Sequence, residues 1–409
     1  MPDRRGATLL EDLPEEIIDK ILVRLTSKDV GRCRAVNTSW RSATSTPEFM
    51  LRHHRRQASL PLIYGREMLV AFGAGAVWPF LRDTKHRDEI RLGGACNGLL
   101  AVSWGSRSYV CNPVIRTRVL LPQPQPRQDV AIMGLAGKYI HNVIIGFYRH
   151  HPTGEHRVLW GVSQDYYKYS LYILTVGCDT PRHVEIRLPT MPEPGTMEHK
   201  LLAVLCGSNH FLVVDHGNLH WHPYCGRYAT GVGGQIIVFD TEAESFRLMG
   251  CPDQLTYNLK LFSMKGSLAF AGSSRYTYTA VHVWVMQDYE AELWAFKYMV
   301  DLSVVEASRQ LHLTSFQKEK EKERPLDLAG KWIHDMAALN ERELLIMCDR
   351  NHLLHCDIDG NFIGMVDIGN SQYCIKLTQL RLKESIIPAP YHGMKGEDDA
   401  EEPFSMEHA

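Results

Sequence analysis

Residues 13–40 read LPEEIIDKILVRLTSKDVGRCRAVNTSW, and this stretch decides how the N-terminal part of the chain folds. Its first half has the spacing of an amphipathic helix, with an apolar residue at every fourth position. The residues of this stripe are Leu13, Ile17, Ile21 and Leu25, flanked by Ile18 and Leu22. A stripe this broad is expected to lie against other apolar surface rather than in water.

Two further short helices are predicted from the polar residues that introduce them. Ser27 and Asn37 are residue types that cap helix starts, and Pro47 is expected to end the third helix. Three short helices in so few residues bury their own apolar faces poorly. We therefore expect another protein to cover the surplus.

The same stretch resembles the F-box motif along its full length. The matching residues are Leu13-Pro14-Glu15-Glu16-Ile17-Ile18, Ile21-Leu22-Val23-Arg24-Leu25, Lys28-Asp29-Val30, Arg32-Cys33-Arg34-Ala35-Val36, Ser39-Trp40 and Pro47-Glu48-Phe49. The departures are Thr26 where the family usually has Pro, Cys33 where Phe is frequent, and Asn37 where Cys is frequent. An unrelated helical cap with the same apolar pattern is the alternative.

The resemblance implies that these helices dock on a Skp-type adaptor. The side chains are expected to divide between the small core of the helical module and the adaptor interface. The expected adaptor-binding residues are Leu13, Pro14, Ile17, Ile21, Leu22, Leu25, Val30, Cys33, Val36 and Trp40.

Composition and charge exclude several classes of protein. The 409 residues carry a formal net charge of -2, which argues against a general nucleic-acid binder. No apolar run approaches the length that crosses a bilayer, and the start, MPDRRGATLL, lacks the apolar core of a signal peptide. The 10 cysteines are scattered and are expected to be reduced thiols. We expect a protein of the cytoplasm, the nucleus or both, with no nucleic-acid or membrane partner.

From about Leu60 onward, short apolar or alternating runs are separated by turn residues such as Asn112-Pro113 and Lys265-Gly266. Closely spaced strands with hairpin turns predict an all-β sandwich, barrel or propeller. A recurring strand–turn–strand unit favours the propeller, because its spacing fits a four-stranded blade with loops. The units are YVCNPVIRTRVLLP (109–122), YILTVGCDTPRHVEIRLP (172–189), IIVFDTEAESFRLM (236–249), VWVMQDYEAELWAF (283–296) and HCDIDGNFIGMVDI (355–368).

Parts of this region are similar to the F-box-associated β-propeller domains of plant proteins, which are kelch-like. The similar pieces are Cys96-Asn97-Gly98-Leu99-Leu100, Tyr109-Val110-Cys111-Asn112-Pro113, Leu121-Pro122, Val283-Trp284-Val285-Met286 and Glu292-Leu293-Trp294. The predicted fold class is α+β multidomain: a small all-α F-box of three short helices, followed by an all-β propeller of about six blades. The expected divisions are a disordered lead (1–9), the F-box domain (10–56), the propeller (57–386) and an acidic disordered tail (387–409).

Two groups of histidines and cysteines invite a metal site, but neither is predicted to be one. His216, His220, His222 and Cys225 lack a second cysteine or a carboxylate pair to complete a tetrahedral set. His352 and His355, near Cys348 and Cys356, have opposite parity on one strand and should face opposite sides. We expect no metal, no cofactor and no catalysis.

The resemblance implies a substrate-recognition subunit of a Skp–cullin–F-box ubiquitin ligase. Its partners would be the Skp-type adaptor, the cullin that the adaptor links to it, and an unknown protein substrate bound by the propeller. An F-box adaptor acting outside a ligase is one alternative. A propeller enzyme with a helical cap is another, and it would need polar groups that converge at the central mouth of the ring.

The connections between the second and third strands of the blades are the candidate target-binding face. They carry tyrosine, tryptophan and arginine among serine and glycine, which is the composition of binding surfaces. The candidate residues are Trp104, Arg107, Tyr166, Tyr167, Tyr169, Tyr224, Arg227, Tyr228, Arg275, Tyr276 and Tyr278. The alternative is that these rings pack between blades, where they would be buried or scattered over both faces.

Overall fold

The structure is a computed structural model of the chain, and it places a helical module before a ring of β-sheets. It describes residues 13–64, 68–73, 76–83, 90–124, 141–165, 168–184, 212–222, 235–252, 257–274, 277–316, 333–348, 352–368, 375–389 and 404–406.

The helical module contains four helices in its described residues, where the sequence predicted three. They are α1 (Glu15–Leu22), α2 (Ser27–Val36), α3 (Thr38–Thr44) and α4 (Pro47–Arg56). The expectation that Pro47 only ends α3 was incomplete, because Pro47 also occupies the first turn of α4. Proline suits that position, since the first turn of a helix does not use its backbone N–H groups. No helix in the described part of the chain is long and apolar enough to cross a membrane.

The helix starts follow the capping rules with one shift. Asn37 caps α3 as predicted, since its Oδ1 accepts a hydrogen bond of 3.0 Å from the Trp40 backbone N–H. The cap of α2 is Thr26 rather than Ser27, and its hydroxyl accepts from the Asp29 backbone N–H at 3.2 Å. Thr26 is one of the departures from the motif, and it takes a structural role that a proline could not fill.

The described strands form six sheets, which confirms the predicted propeller and its number of blades. Blade I contains β1 (Ser59–Tyr64), β2 (Met68–Gly73) and β3 (Ala76–Asp83), and blade II contains β4 (Ile90–Cys96), β5 (Leu99–Trp104), β6 (Arg107–Asn112) and β7 (Thr117–Leu120). Blade III contains β8 (His141–Arg149), β9 (His156–Asp165), β10 (Lys168–Thr175) and β11 (Arg182–Val184). Blade IV contains β12 (Leu212–Asp215), β13 (Asn218–Trp221), β14 (Gln235–Asp240) and β15 (Ser245–Gly250).

The last two blades are followed by two further strands. Blade V contains β16 (Tyr257–Met264), β17 (Ser267–Ser274), β18 (Thr277–Asp288) and β19 (Leu293–Asp301), and blade VI contains β20 (Asp335–Ala338), β21 (Glu343–Met347), β22 (Leu353–Asp357) and β23 (Phe362–Met365). The chain then adds β24 (Lys376–Lys383) and β25 (Phe404–Met406). Between blades V and VI, α5 (Leu302–Phe316) packs on β23, where the Ser308 hydroxyl accepts from the Phe362 backbone N–H at 2.9 Å.

The ring closes by pairing its two ends within blade I. β24 is the innermost strand of that blade and lies antiparallel to β1, with Ser59 opposite Lys383. This pairing joins residues that are far apart in sequence, so closure holds the whole ring together.

The expectation of a disordered tail after residue 386 was wrong in part. β25 pairs with the outer edge of β3, with Phe404 opposite Asp83, and Met406 packs against the core. The reason is that the outer edge of β3 offers backbone N–H and C=O groups with which the backbone of residues 404–406 pairs. Residues 387–389 are also ordered against the propeller, and Ala389 is buried.

Neighbouring blades are joined by carboxylates as well as by apolar packing. Glu244, in the turn before β15, accepts hydrogen bonds from Arg157 at 2.7 Å and from the Tyr148 hydroxyl at 2.6 Å, both in blade III. Glu292 holds the corresponding position before β19 and accepts from Arg247 of blade IV at 3.0 Å. The same turn therefore links each of these blades to the one before it.

The strand order gives the propeller two distinct faces. In an antiparallel four-stranded blade, the turns from first to second strand and from third to fourth lie at one end. We call this end the helical face, because the helical module contacts it at the end of β24: the Lys383 ammonium donates to the Arg55 carbonyl at 2.8 Å. The opposite end, the loop face, carries the connections from second to third strand and from each blade to the next.

Candidate functional site

The helical module has a small core that uses only part of its apolar surface. Leu22, Val23, Val30 and Phe49 are buried in this core, with Ile18 and Met50 packed around them. Among the expected adaptor-binding residues, Leu22 and Val30 are buried, Leu13, Leu25, Cys33 and Trp40 are half-buried, and Pro14, Ile17, Ile21 and Val36 are exposed. The structure thus separates the expected set into residues that build the core and residues that face outward.

The exposed members form the part of the module that remains available for a partner. Ile17 is 40% exposed, Ile21 is 39% exposed and Val36 is 78% exposed. Ile17 and Ile21 are four residues apart on α1, so they lie on the same side of that helix. When a partner removes these aliphatic side chains from water, the free energy of the complex falls.

Polar contacts fix the helices relative to one another. Arg34 of α2 donates from Nε to the Thr44 hydroxyl of α3 at 2.9 Å. His53 of α4 bonds through Nε2 to the Leu25 carbonyl at 2.9 Å. Burial lowers the pKa of His53 below its ordinary value, so its ring is neutral at neutral pH. These contacts hold α2 against α3 and tie α4 to the segment that follows α1.

Three buried core residues, Val23, Phe49 and Ile386, were missing from the expected set. Phe49 is buried in α4 and belongs to the Pro47-Glu48-Phe49 piece of the motif, so its role could have been read from the sequence. Ile386 is also buried in this core, although it follows the ring-closing strand β24. No local pattern marks Ile386, since its partners lie more than three hundred residues earlier in the chain.

The candidate target-binding residues fall partly within the described residues. Trp104 ends β5 and is half-buried, and Arg107 begins β6 and is exposed, with the two residues paired across a tight turn. Tyr169 lies in β10 opposite Ser163, and Tyr278 lies in β18. Tyr166, Tyr167, Tyr224, Arg227, Tyr228, Arg275 and Tyr276 lie outside the described residues.

The topology places all four candidate connections in one class. The intervals 105–106, 166–167, 222–234 and 275–276 each join the second strand of a blade to its third. The described strand ends that flank them therefore lie at the loop face, at the opposite end of the propeller from α1–α4. This geometry is the one that the strand phasing predicted, and the use of these side chains in binding stays a prediction.

Three of the histidines that were set aside as metal ligands, His216, His220 and His355, have other hydrogen-bonding partners. His220 is fully buried and bonds through Nε2 to the Tyr289 hydroxyl at 2.7 Å, while His216 bonds to the Asp215 carboxylate at 2.9 Å. His355 bonds to Glu343 at 2.9 Å. Within the described ranges, no three histidine, cysteine, aspartate or glutamate side chains come together as a metal site. Cys225 lies outside those ranges.

A cavity of about 430 Å³ opens where the central channel meets the helical face. Its charged lining residues in the described chain are Lys265 and Arg381. Lys265 forms an ion pair with Glu341, and Arg381 donates to the Ala338 carbonyl at 2.7 Å and to the Ser59 hydroxyl at 3.0 Å. Lys265 thus links the inner turns of blades V and VI, and Arg381 links blade VI to blade I.

Comparison with known proteins agrees with both parts of this architecture. A family model described as an F-box associated beta propeller domain matches residues 83–321, and one described as F-box-like matches residues 10–56. An F-box/LRR-repeat/kelch-repeat protein of Arabidopsis thaliana is 26% identical over 251 residues, which cover 59% of this chain and 61% of that protein. An F-box protein of the same plant is 27% identical over 176 residues, covering 38% of this chain and 46% of its own length.

These matches span less than two thirds of the first two curated relatives. Among solved structures, the β-propeller domain of Cps50 (Swd1) from Myceliophteria thermophila has a TM-score of 0.38 and 8% identity over 77% of this chain and 88% of its own. The propeller family model covers more than half of the chain, and the F-box-like model covers the helices that precede it. The chain therefore belongs to the family of F-box proteins with an F-box-associated β-propeller domain.

Proposed function

We propose that this chain is the substrate-recognition subunit of a Skp–cullin–F-box ubiquitin ligase, acting in the cytoplasm or the nucleus. In this proposal α1–α4 dock on a Skp-type adaptor, which links the chain to a cullin, and the propeller holds a protein target. The observation that carries the proposal is the exposure of Ile17, Ile21 and Val36 on a module whose core is already filled by other residues.

The exposed side chains are of a type whose burial can stabilise a specific interface. Burying one aliphatic side chain contributes roughly 1.5–3 kcal/mol. Losing two of them therefore weakens binding by on the order of a hundredfold or more. Since both lie outside the core of the module, their truncation should leave its fold intact.

The experiment is a calorimetric titration of a Skp-type adaptor with the full chain and with the double variant Ile17→Ala, Ile21→Ala. We expect the variant to bind on the order of a hundredfold more weakly. The matched control is Ile363→Ala, which truncates an isoleucine of similar exposure on β23, outside the helical module. The control should bind as the unaltered chain does. Equal affinity of the double variant and the control would contradict the proposed adaptor surface.

The loop face is the proposed site for the target. It lies at the opposite end of the propeller from the helical module, so a bound target would not compete with the adaptor for space. Its candidate connections combine aromatic rings with arginine, the residue types that dominate protein interfaces. An adaptor complex that never contains a cullin would favour the alternative, an F-box protein acting outside a ligase.

A further inference from the structure

The six residues that follow the ring-closing strand have an unusual position. Residues 384–389 form neither helix nor strand, yet Ser385 is 0% exposed and Ile386 is 1% exposed. Because β24 has already closed the ring, the closure itself does not account for the burial of these residues. This stretch is buried because it lies between two separate bodies, the propeller on one side and the helical module on the other.

On the propeller side, residues 384–389 pack against blade II. The side-chain amide of Asn112 is fully buried and donates to the carbonyls of Ser385 at 2.9 Å and Ile387 at 2.7 Å. Gly98 approaches from the neighbouring turn with φ +77, and a Cβ there would lie 2.2 Å from the Ser385 Cβ. Such a contact is closer than atoms can pack, so glycine is required at this turn.

The helical module contacts the same residues from the other side. The Ile386 side chain completes the core formed by Leu22, Val30 and Phe49. His54 of α4 donates from Nδ1 to the Glu384 carbonyl at 2.9 Å. The carbonyls on either side of Ile386 thus face the propeller, while its side chain belongs to the core of α1–α4.

We propose that residues 384–389 are a brace that holds α1–α4 on the helical face, with Ile386 and Asn112 as positioning residues. Because the brace is held at both surfaces, the helical module keeps one orientation relative to the ring. The distance from adaptor surface to loop face is then fixed by the fold. This last consequence rests on the proposed function, whereas the brace itself does not.

Hydrogen exchange of the full chain, followed by mass spectrometry, tests the brace without any partner. Ile386→Ala removes the shared core residue, and we expect amides of α2 and α4 to exchange at least about tenfold faster. Ile386→Val removes a single methyl group and should give a smaller increase, about threefold. Ile363→Ala is the matched control and should leave exchange in α1–α4 unchanged.

The Asn112→Ala variant distinguishes a brace between propeller and helical module from a role of Asn112 that is confined to blade II. Asn112 lies in blade II and contributes nothing to the core of α1–α4, so it affects α2 and α4 only through residues 384–389. We expect faster exchange in α2 and α4, and a smaller additional effect of Ile386→Ala in the double variant than in the unaltered chain. Normal exchange in α2 and α4 of Asn112→Ala, with loosening confined to blade II, would overturn the proposal.

Small-angle X-ray scattering of the adaptor-bound chain gives the second readout. The unaltered complex should fit one arrangement of module and ring, and the Asn112→Ala complex should require a range of orientations. A variant that scatters as one arrangement would also overturn the brace. Failure of the adaptor to bind would instead count against the proposed function, so the two failures are distinguishable.

Discussion

At the scale of single residues, the buried histidines show how burial sets chemistry in this propeller. His220 is enclosed, accepts from the Tyr289 hydroxyl at 2.7 Å and lies with Nδ1 3.4 Å from the Val213 carbonyl. Burial lowers its pKa from 6.5 to about 3. His220 therefore stays neutral in the folded chain at pH values where an exposed histidine is charged.

This difference predicts a pH dependence of stability. Below about pH 6.5 the unfolded chain binds a proton at His220 that the folded chain does not, so stability falls as the pH falls. Between about pH 7.5 and pH 5, His220 should account for a loss of about 2 kcal/mol in the free energy of unfolding. His220→Gln should reduce the pH dependence by this amount, measured by urea unfolding at both pH values.

His151→Gln is the control for that measurement, because the His151 side chain is 82% exposed. It should retain the pH dependence of the unaltered chain. If His220→Gln also retained the full dependence, burial of a neutral ring at this position would not be the cause. The quantity to compare is the change in the pH dependence of the free energy of unfolding, since any substitution at a buried site also lowers stability at every pH.

At the scale of elements, turns were predictable from sequence because they need particular residues. Lys265-Gly266 was read as a hairpin turn, and the structure has both residues at positive φ, 56° and 76°. The fourth helix was missed because Pro47 satisfies two rules, ending one helix and starting the next. β25 was missed because a strand of three residues has no detectable alternation, and only its position beside β3 makes it a strand.

The contacts between elements were less predictable. The sequence identified an apolar surplus in α1–α4, but Ile386 supplies part of the missing core from the other end of the chain. Tyr289 reaches His220 across 69 residues, and neither residue carries a local signal for the other. Hairpins and helices are local in sequence, whereas these pairings exist only after the ring closes.

The connections on the loop face carry the prediction for target binding. A variant with Tyr166→Ala, Tyr228→Ala and Tyr276→Ala removes one ring from each of three connections. We expect it to fold, to bind the adaptor with unchanged affinity and to capture fewer proteins, because rigid aromatic rings contribute much of the binding energy of interfaces. The readout is quantitative mass spectrometry of the captured proteins.

A second triple variant provides the control for the loop face. Leu120→Ala, Leu293→Ala and Met299→Ala truncate exposed apolar residues on the outer strands of blades II and V. This variant should capture the same proteins as the unaltered chain. If the tyrosine variant kept every captured protein, the connections between second and third strands would not be the target site.

At the scale of the whole molecule, the two ends of the propeller are proposed to bind different partners. The helical module and the proposed brace lie at one end, and the strand ends that flank the candidate connections lie at the other. β24 closes the ring, and the residues that follow it complete the core of α1–α4. In the proposed function, the brace would therefore keep the proposed adaptor surface at a fixed distance from the proposed target surface.

Capture from cells treated with a proteasome inhibitor tests the central claim most directly. The full chain is compared with the Ile17→Ala, Ile21→Ala variant, and captured proteins are quantified with and without attached ubiquitin. We predict that the full chain brings down adaptor, cullin and ubiquitin-modified targets, while the variant brings down the same targets with little adaptor, little cullin and much less ubiquitin. Equal ubiquitin modification of the targets in both captures, or a full-chain capture that contains adaptor but no cullin, would contradict the account.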